Sequence, residues 1–81
     1  MGWADAPTKP QLSALSSMIS NKTVGIKREE IKDAMNWLEK HATRRQVSDE
    51  MGRIRLEKSL TRDEVFGSDI WVKYLEERSN G

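Results

Sequence analysis

Residues 8–37 return, changed but traceable, as residues 43–71. A chain of 81 residues made largely of one duplicated unit has few folds open to it. Thr8-Lys9-Pro10-Gln11-Leu12-Ser13 lies over Thr43-Arg44-Arg45-Gln46-Val47-Ser48, with Thr, Gln and Ser identical. Ile19 falls on Ile54. After a slip of one residue, Ile26-Lys27-Arg28-Glu29-Glu30-Ile31 falls on Leu60-Thr61-Arg62-Asp63-Glu64-Val65, and Trp37 falls on Trp71. A period of about 35 residues leaves room for two units and short tails. The expected layout is a tail over 1–7, one domain over 8–77 made of repeat 1 (8–41) and repeat 2 (42–77), and a frayed end over 78–81.

Within each unit the apolar spacing is helical. The first helix is expected over 8–20, with Leu12, Leu15, Met18 and Ile19 inward. The second runs over 27–40, where Ile31, Ala34, Met35 and Leu38 make one stripe. The third starts at Thr43 and carries Val47, Met51 and Ile54. The fourth starts at Thr61 with a core stripe of Val65, Ser68, Val72 and Leu75, and Gly67 is a point where it can kink. Thr8-x-x-Gln11, Thr43-x-x-Gln46 and Thr61-x-x-Glu64 each have capping-box spacing, in which a threonine hydroxyl and the side chain three residues later satisfy each other's backbone N–H. Gly25, between the first two helices, suits a turn that needs positive φ. The fold class is therefore all-α: two tandem helical hairpins forming a small four-helix domain. Trp37 and Trp71 are expected to lie in matching sites as lids over the core.

Composition narrows the chemistry. A chain that is 36% hydrophobic and 33% charged is globular rather than disordered. The absence of cysteine removes disulfides, zinc–thiolate sites and thiol nucleophiles. His41 is the single histidine, and no metal or cofactor is expected. No apolar run has membrane-spanning length, and a cysteine-free chain suits an intracellular, cytoplasmic setting. Glu29-Glu30 and Asp63-Glu64 are the only paired carboxylates at helix starts. First-turn placement at the positive end of the helix dipole explains them without catalysis, so no enzyme activity or small-molecule substrate is expected.

Charge is distributed unevenly. Residues 40–62 hold seven basic against three acidic side chains, and residues 63–81 hold two against five. On the third helix Arg45, Asp49, Arg53 and Glu57 are spaced by four, the pattern of a solvated ion-pair ladder. Arg44 and Arg55 are eleven residues apart and share one edge, with Ser48 between them. Lys40, Lys58 and Arg62 lie at the ends of the adjoining elements. These five, Arg44, Arg55, Lys58, Lys40 and Arg62, are the candidate phosphate-binding edge of a nucleic-acid partner, single- or double-stranded; idle surface charge is the competing reading. Val47 to Gly52 has the small-residue-then-glycine spacing of a helix-turn-helix. The segment after it, Arg53 to Leu60, has no recognition-helix stripe, and the repeat puts Gly52 opposite Ser17, inside a helix.

A second candidate surface lies on the fourth helix. Phe66, Ile70 and Tyr74 are spaced by four, whereas repeat 1 has Lys32, Asn36 and Lys40 there. The stripe is either covered within the chain, by Trp3 or by repeat 1, or it is a partner-binding face.

The order Thr-[Lys/Arg]-x-Gln-[Leu/Val], apolar helix, loop, Arg-[Glu/Asp]-Glu-[Ile/Val], second helix resembles small helical-hairpin modules of phage and bacterial DNA recombination and repair proteins. Thr8 and Gln11, and Thr43 and Gln46, carry the resemblance; the family tends to small residues after the acidic pair, and Lys32-Asp33 and Phe66-Gly67 depart from that pattern. The resemblance implies a non-enzymatic, nucleic-acid-associated accessory module. The alternative is a protein–protein interaction or dimerisation module with no direct nucleic-acid contact.

Overall fold

Three threonines decide where helices begin. In a computed structural model that describes residues 4–80, Thr8, Thr43 and Thr61 all have extended backbone and act as N-caps, each hydroxyl accepting the N–H three residues on. They open α1 (Lys9–Lys22), α3 (Arg44–Arg55) and α4 (Arg62–Val65). Helix α2 (Arg28–His41) starts from Lys27 without a side-chain cap, and its first turn holds Glu29 and Glu30. A 3-10 turn (Asp69–Trp71) leads into α5 (Val72–Asn80). No strand occurs among the described residues, and the fold is all-α.

Only two of the three capping boxes close. At Thr43 and Thr61 the Gln46 and Glu64 side chains accept the cap's own N–H at 2.8 Å. Gln11 does something else: its amide donates across the molecule to the Arg44 carbonyl at 2.9 Å. Here a long-range bond ties the start of α1 to the start of α3. At the other end the Lys22 ammonium donates to the carbonyls of Ile54 and Arg55, at 3.1 and 2.8 Å. Helices α1 and α3 therefore run parallel, start beside start. The second half of each hairpin follows suit, since Arg62 at the start of α4 meets Glu30 at the start of α2, and Glu77 of α5 meets Trp37 late in α2.

The stripes expected on the first two helices are the core, with Met18 half-buried, and Val47 and Ile54 of α3 join them. The fourth helix departs from expectation. It breaks after Val65, and the chain passes through Gly67 and an extended Ser68 before turning again. A β-carbon on Gly67 would come within 3.2 Å of the Asp63 carbonyl oxygen, so this close turn is tight for a larger residue. The break rotates everything after it. Val72, expected inside, is 49% exposed; Trp71, Phe66 and Tyr74 are buried instead. Trp71 touches Phe66 edge-on at 5.1 Å and Tyr74 edge-on at 5.6 Å between ring centres.

The two tryptophans consequently do not share an environment. Trp71 is fully buried. Trp37 is half-buried, stacks on His41 at 4.8 Å, and donates its indole N–H to Glu77 at an exposed site. The repeat is preserved in helix starts and lost in the packing of the second hairpin. The described part of the N-terminal tail is tied down, with Pro7 buried and the Asp5 carbonyl accepting the Arg44 N–H at 2.7 Å; the expected docking of Trp3 lies outside the described residues. At the other terminus α5 continues to Asn80, past the point where fraying was expected.

What breaks the fourth helix is visible around Glu50. This carboxylate is buried, 4% exposed. Arg53 grips it with both forks, at 3.0 and 2.7 Å; the Trp71 indole donates at 2.6 Å and the Ser68 hydroxyl at 3.1 Å. The same guanidinium donates to the Glu64 and Val65 carbonyls, at 3.2 and 2.7 Å, satisfying the end of α4. Arg53 is thus half-buried and committed to Glu50 and the end of α4, more than a rung of a surface ladder. Arg45 and Asp49 make no ion pair among the described residues. Removing one partner of a buried ion pair strands the other in low dielectric. Glu50→Ala is expected to lower the unfolding free energy by about 3 kcal/mol, the low end of the usual range because Arg53 keeps some solvent contact. Asp49→Ala, one residue away on the outside, should stay within about 0.5 kcal/mol of the parent. Urea denaturation of the two variants checks both.

Candidate nucleic-acid interface

The parallel hairpins bring two loops together. Residues 23–27 follow α1 and residues 56–61 follow α3. They are joined by an isolated parallel bridge between Thr23 and Leu60, in which the Leu60 N–H donates to the Lys22 carbonyl at 2.8 Å. Gly25 takes φ +87° in the first loop, the conformation its position predicts. The pairing depends on Lys22, whose ammonium satisfies the last carbonyls of α3 and offsets that helix's negative end. This loop end carries Lys22, Lys27, Arg55 and Lys58. Among them Lys27, Arg55 and Lys58 are exposed and form no ion pair among the described residues. Glu57 is the acid within the second loop.

The five residues expected to form one basic edge are divided by this architecture. Arg55 and Lys58 stand at the loop end. Arg44 opens α3 at the opposite end, roughly 16 Å along the helix from Arg55 at 1.5 Å per residue. It is half-buried, its backbone is bonded at both N–H and C=O, and its Nε is buried with no hydrogen-bond partner among the described residues. Lys40 is exposed in the last turn of α2, where it lines a surface groove with Trp37, His41, Tyr74 and Glu77. Arg62 lies near the loop end but is engaged: it pairs with both oxygens of Glu30 at 2.7 and 2.6 Å and sits 5.2 Å above the Phe66 ring. Lys22 and Lys27 escaped sequence reasoning because the charge count of residues 1–39 balances; only the juxtaposition of the two loops singles them out.

The Phe66, Ile70, Tyr74 stripe is covered within the chain. Phe66 and Tyr74 are buried, Ile70 is half-buried against the core, and Arg62 and Arg78 cap the rings of Phe66 and Tyr74. The reason is the helix break, which turns this stripe inward. Repeat 1 contributes through Trp37, whose ring meets Tyr74 at 5.7 Å. Large apolar groups lie exposed elsewhere: Val24 and Leu56, 86% and 85% exposed, one in each paired loop. Among the described residues no group of His, Cys, Asp or Glu could hold a metal ion, and no helix is long and apolar enough to cross a membrane. Compared with protein families, curated proteins and solved structures, the chain matches none.

Electrostatics at the start of α2 are organised around Glu30. The hydrogen bonds from Arg62 hold its carboxyl below the usual range against the opposing effect of burial, and the charges of Arg62, Arg78 and Lys27 add to the lowering. Arg78 stands 3.6 Å from the same carboxylate and donates to the Tyr74 hydroxyl at 2.6 Å. A carboxyl whose pKa is lower folded than unfolded stabilises fully above its ordinary pKa of about 4.5 and loses that contribution as pH falls through the folded value. The stability advantage of the parent over Arg62→Met is therefore expected to be complete at neutral pH and to shrink from about pH 5 downward. Melting midpoints of both proteins across that range measure it; a gap independent of pH would show that Arg62 stabilises through Phe66 alone.

Proposed function

We propose that this chain is a non-enzymatic, nucleic-acid-associated accessory module that grips phosphate backbone with its paired-loop end. The observation that carries this reading is the hydrogen-bonded pairing of the two loops, which gathers cations from both repeats on one end: Lys27 from the first, Arg55 and Lys58 from the second. Long basic side chains on a tied pair of loops suit a polyanion, because the loops lose little further freedom on binding. Arg44 and Lys40, at the other end, and Arg62, held by Glu30, are secondary in this reading. The Thr-x-x-Gln resemblance supports a setting in phage or bacterial DNA recombination or repair, and a cytoplasmic location follows from that setting. Its weight rests on Thr43 and Gln46, since Gln11 serves an interhelical bond instead.

Phosphate contacts release counterions, so affinity should fall steeply with salt and be the same for every sequence. Arg55→Glu combined with Lys58→Glu should weaken binding to any oligonucleotide and flatten the slope of log affinity against log salt by about 2. Arg44→Glu should change the slope by far less. Fluorescence anisotropy over a salt series measures all three proteins. Absence of binding to any DNA or RNA at low salt removes the proposal and favours a protein-interaction module.

A further inference from the structure

We infer that the nucleic acid taken by the paired-loop end is a duplex, gripped by its backbone and pressed along one groove by Val24 and Leu56. This rests on the function proposed above and specifies its ligand. Two observations carry it. The first is what the loop end lacks. Single strands are held by cations together with aromatic faces on which bases stack. Among the described residues the aromatic side chains lie elsewhere: Phe66, Trp71 and Tyr74 are buried, and Trp37 is at the far end of α2, its ring committed to His41 and Tyr74. Among the described residues, unstacked bases would find no aromatic platform between the loops.

The second is what the loop end has. Val24 and Leu56 are almost wholly exposed, yet they sit on loops held by the Leu60 N–H bond to Lys22 and by the Lys22 ammonium bonds to Ile54 and Arg55. Neither residue contributes to the core, so stability does not account for them. Helices packed side by side stand about 8–10 Å apart, between the widths of about 6 Å and about 12 Å of the two grooves of a DNA duplex. Cations from both loops can then reach phosphates on both strands, while two aliphatic groups meet the apolar sugar and base edges between them. Apolar groups in this role add contact that does not depend on counterion release. Positive charge around exposed aliphatic groups would also suit an anionic lipid surface; the helices that meet at this end turn their apolar faces into the core, and this favours the duplex.

The test uses the full chain with a short DNA duplex, either of its single strands, and phosphatidylserine vesicles, all at low salt. The duplex is expected to bind at least about tenfold more tightly than the single strand. Val24→Ser with Leu56→Ser should weaken duplex binding about three- to tenfold while leaving the salt slope unchanged. Because both positions are exposed, the variant should keep the parent's circular dichroism and melting midpoint; Leu56→Ala alone serves as the milder substitution if it does not. Equal binding of duplex and single strand overturns the inference while leaving phosphate binding intact. So does a Val24→Ser, Leu56→Ser protein that binds duplex as well as the parent. Binding to vesicles and to no nucleic acid overturns both this inference and the function on which it rests.

Discussion

The carboxylate of Glu50 is the interaction on which the second hairpin depends. A buried carboxylate is costly unless its oxygens are satisfied and its charge is met. Here one oxygen takes the Arg53 Nε and the Ser68 hydroxyl, and the other takes the Arg53 Nη2 and the Trp71 indole. Two of these partners come from the segment that follows α4. For Ser68 and Trp71 both to reach Glu50, the chain has to leave the helix after Val65. Arg53 makes that exit tolerable by bonding the Val65 carbonyl that the broken helix leaves open and by adding to the long, 3.4 Å Gly67 N–H bond at the Glu64 carbonyl. The aromatic cluster is a consequence: once Trp71 points inward, Phe66 and Tyr74 close around it.

The arginines divide by role. Arg53, Arg62 and Arg78 each use a planar fork against a carboxylate, a carbonyl or a phenol, and two of them also cover an aromatic ring. They are the mortar of the second hairpin. Arg55, Lys27 and Lys58 form no ion pair among the described residues. The distinction separates charge that builds the fold from charge that is available to a partner, and it follows the packing rather than the position in sequence. Arg53 and Arg55 are two residues apart on one helix and fall on opposite sides of that division.

Scaffold and proposed site are coupled through Lys22. Its stem lies between α1 and α3, its carbonyl accepts from Leu60, and its ammonium closes α3. The same residue that sets the two helices parallel sets the two loops side by side. An end assembled from both repeats is thus a product of the fold, and neither hairpin presents it alone.

Local rules determined the three threonine-capped helix starts, the Gly25 turn and the inward faces of the first two helices. A cap spans three residues and an apolar stripe repeats every three or four, so both are complete within a short segment. Thr8, Thr43 and Thr61, and the stripe from Ile31 to Leu38, were legible for that reason. The tertiary structure alone decided the rest. Glu50 reads as an ordinary helical acid until Trp71, 21 residues on, is packed against it. Gln11 reads as half of a capping box until Arg44, 33 residues away, offers a carbonyl. The expected basic edge divides because Arg44 and Arg55 sit at opposite ends of α3 and Lys40 late in α2, and the proposed site gains Lys27 because parallel packing of α1 and α3 brings a second loop alongside. Each of these depends on which of several possible partners a polar group meets, and that choice is made by the relative placement of helices, a property that no window of neighbouring residues contains.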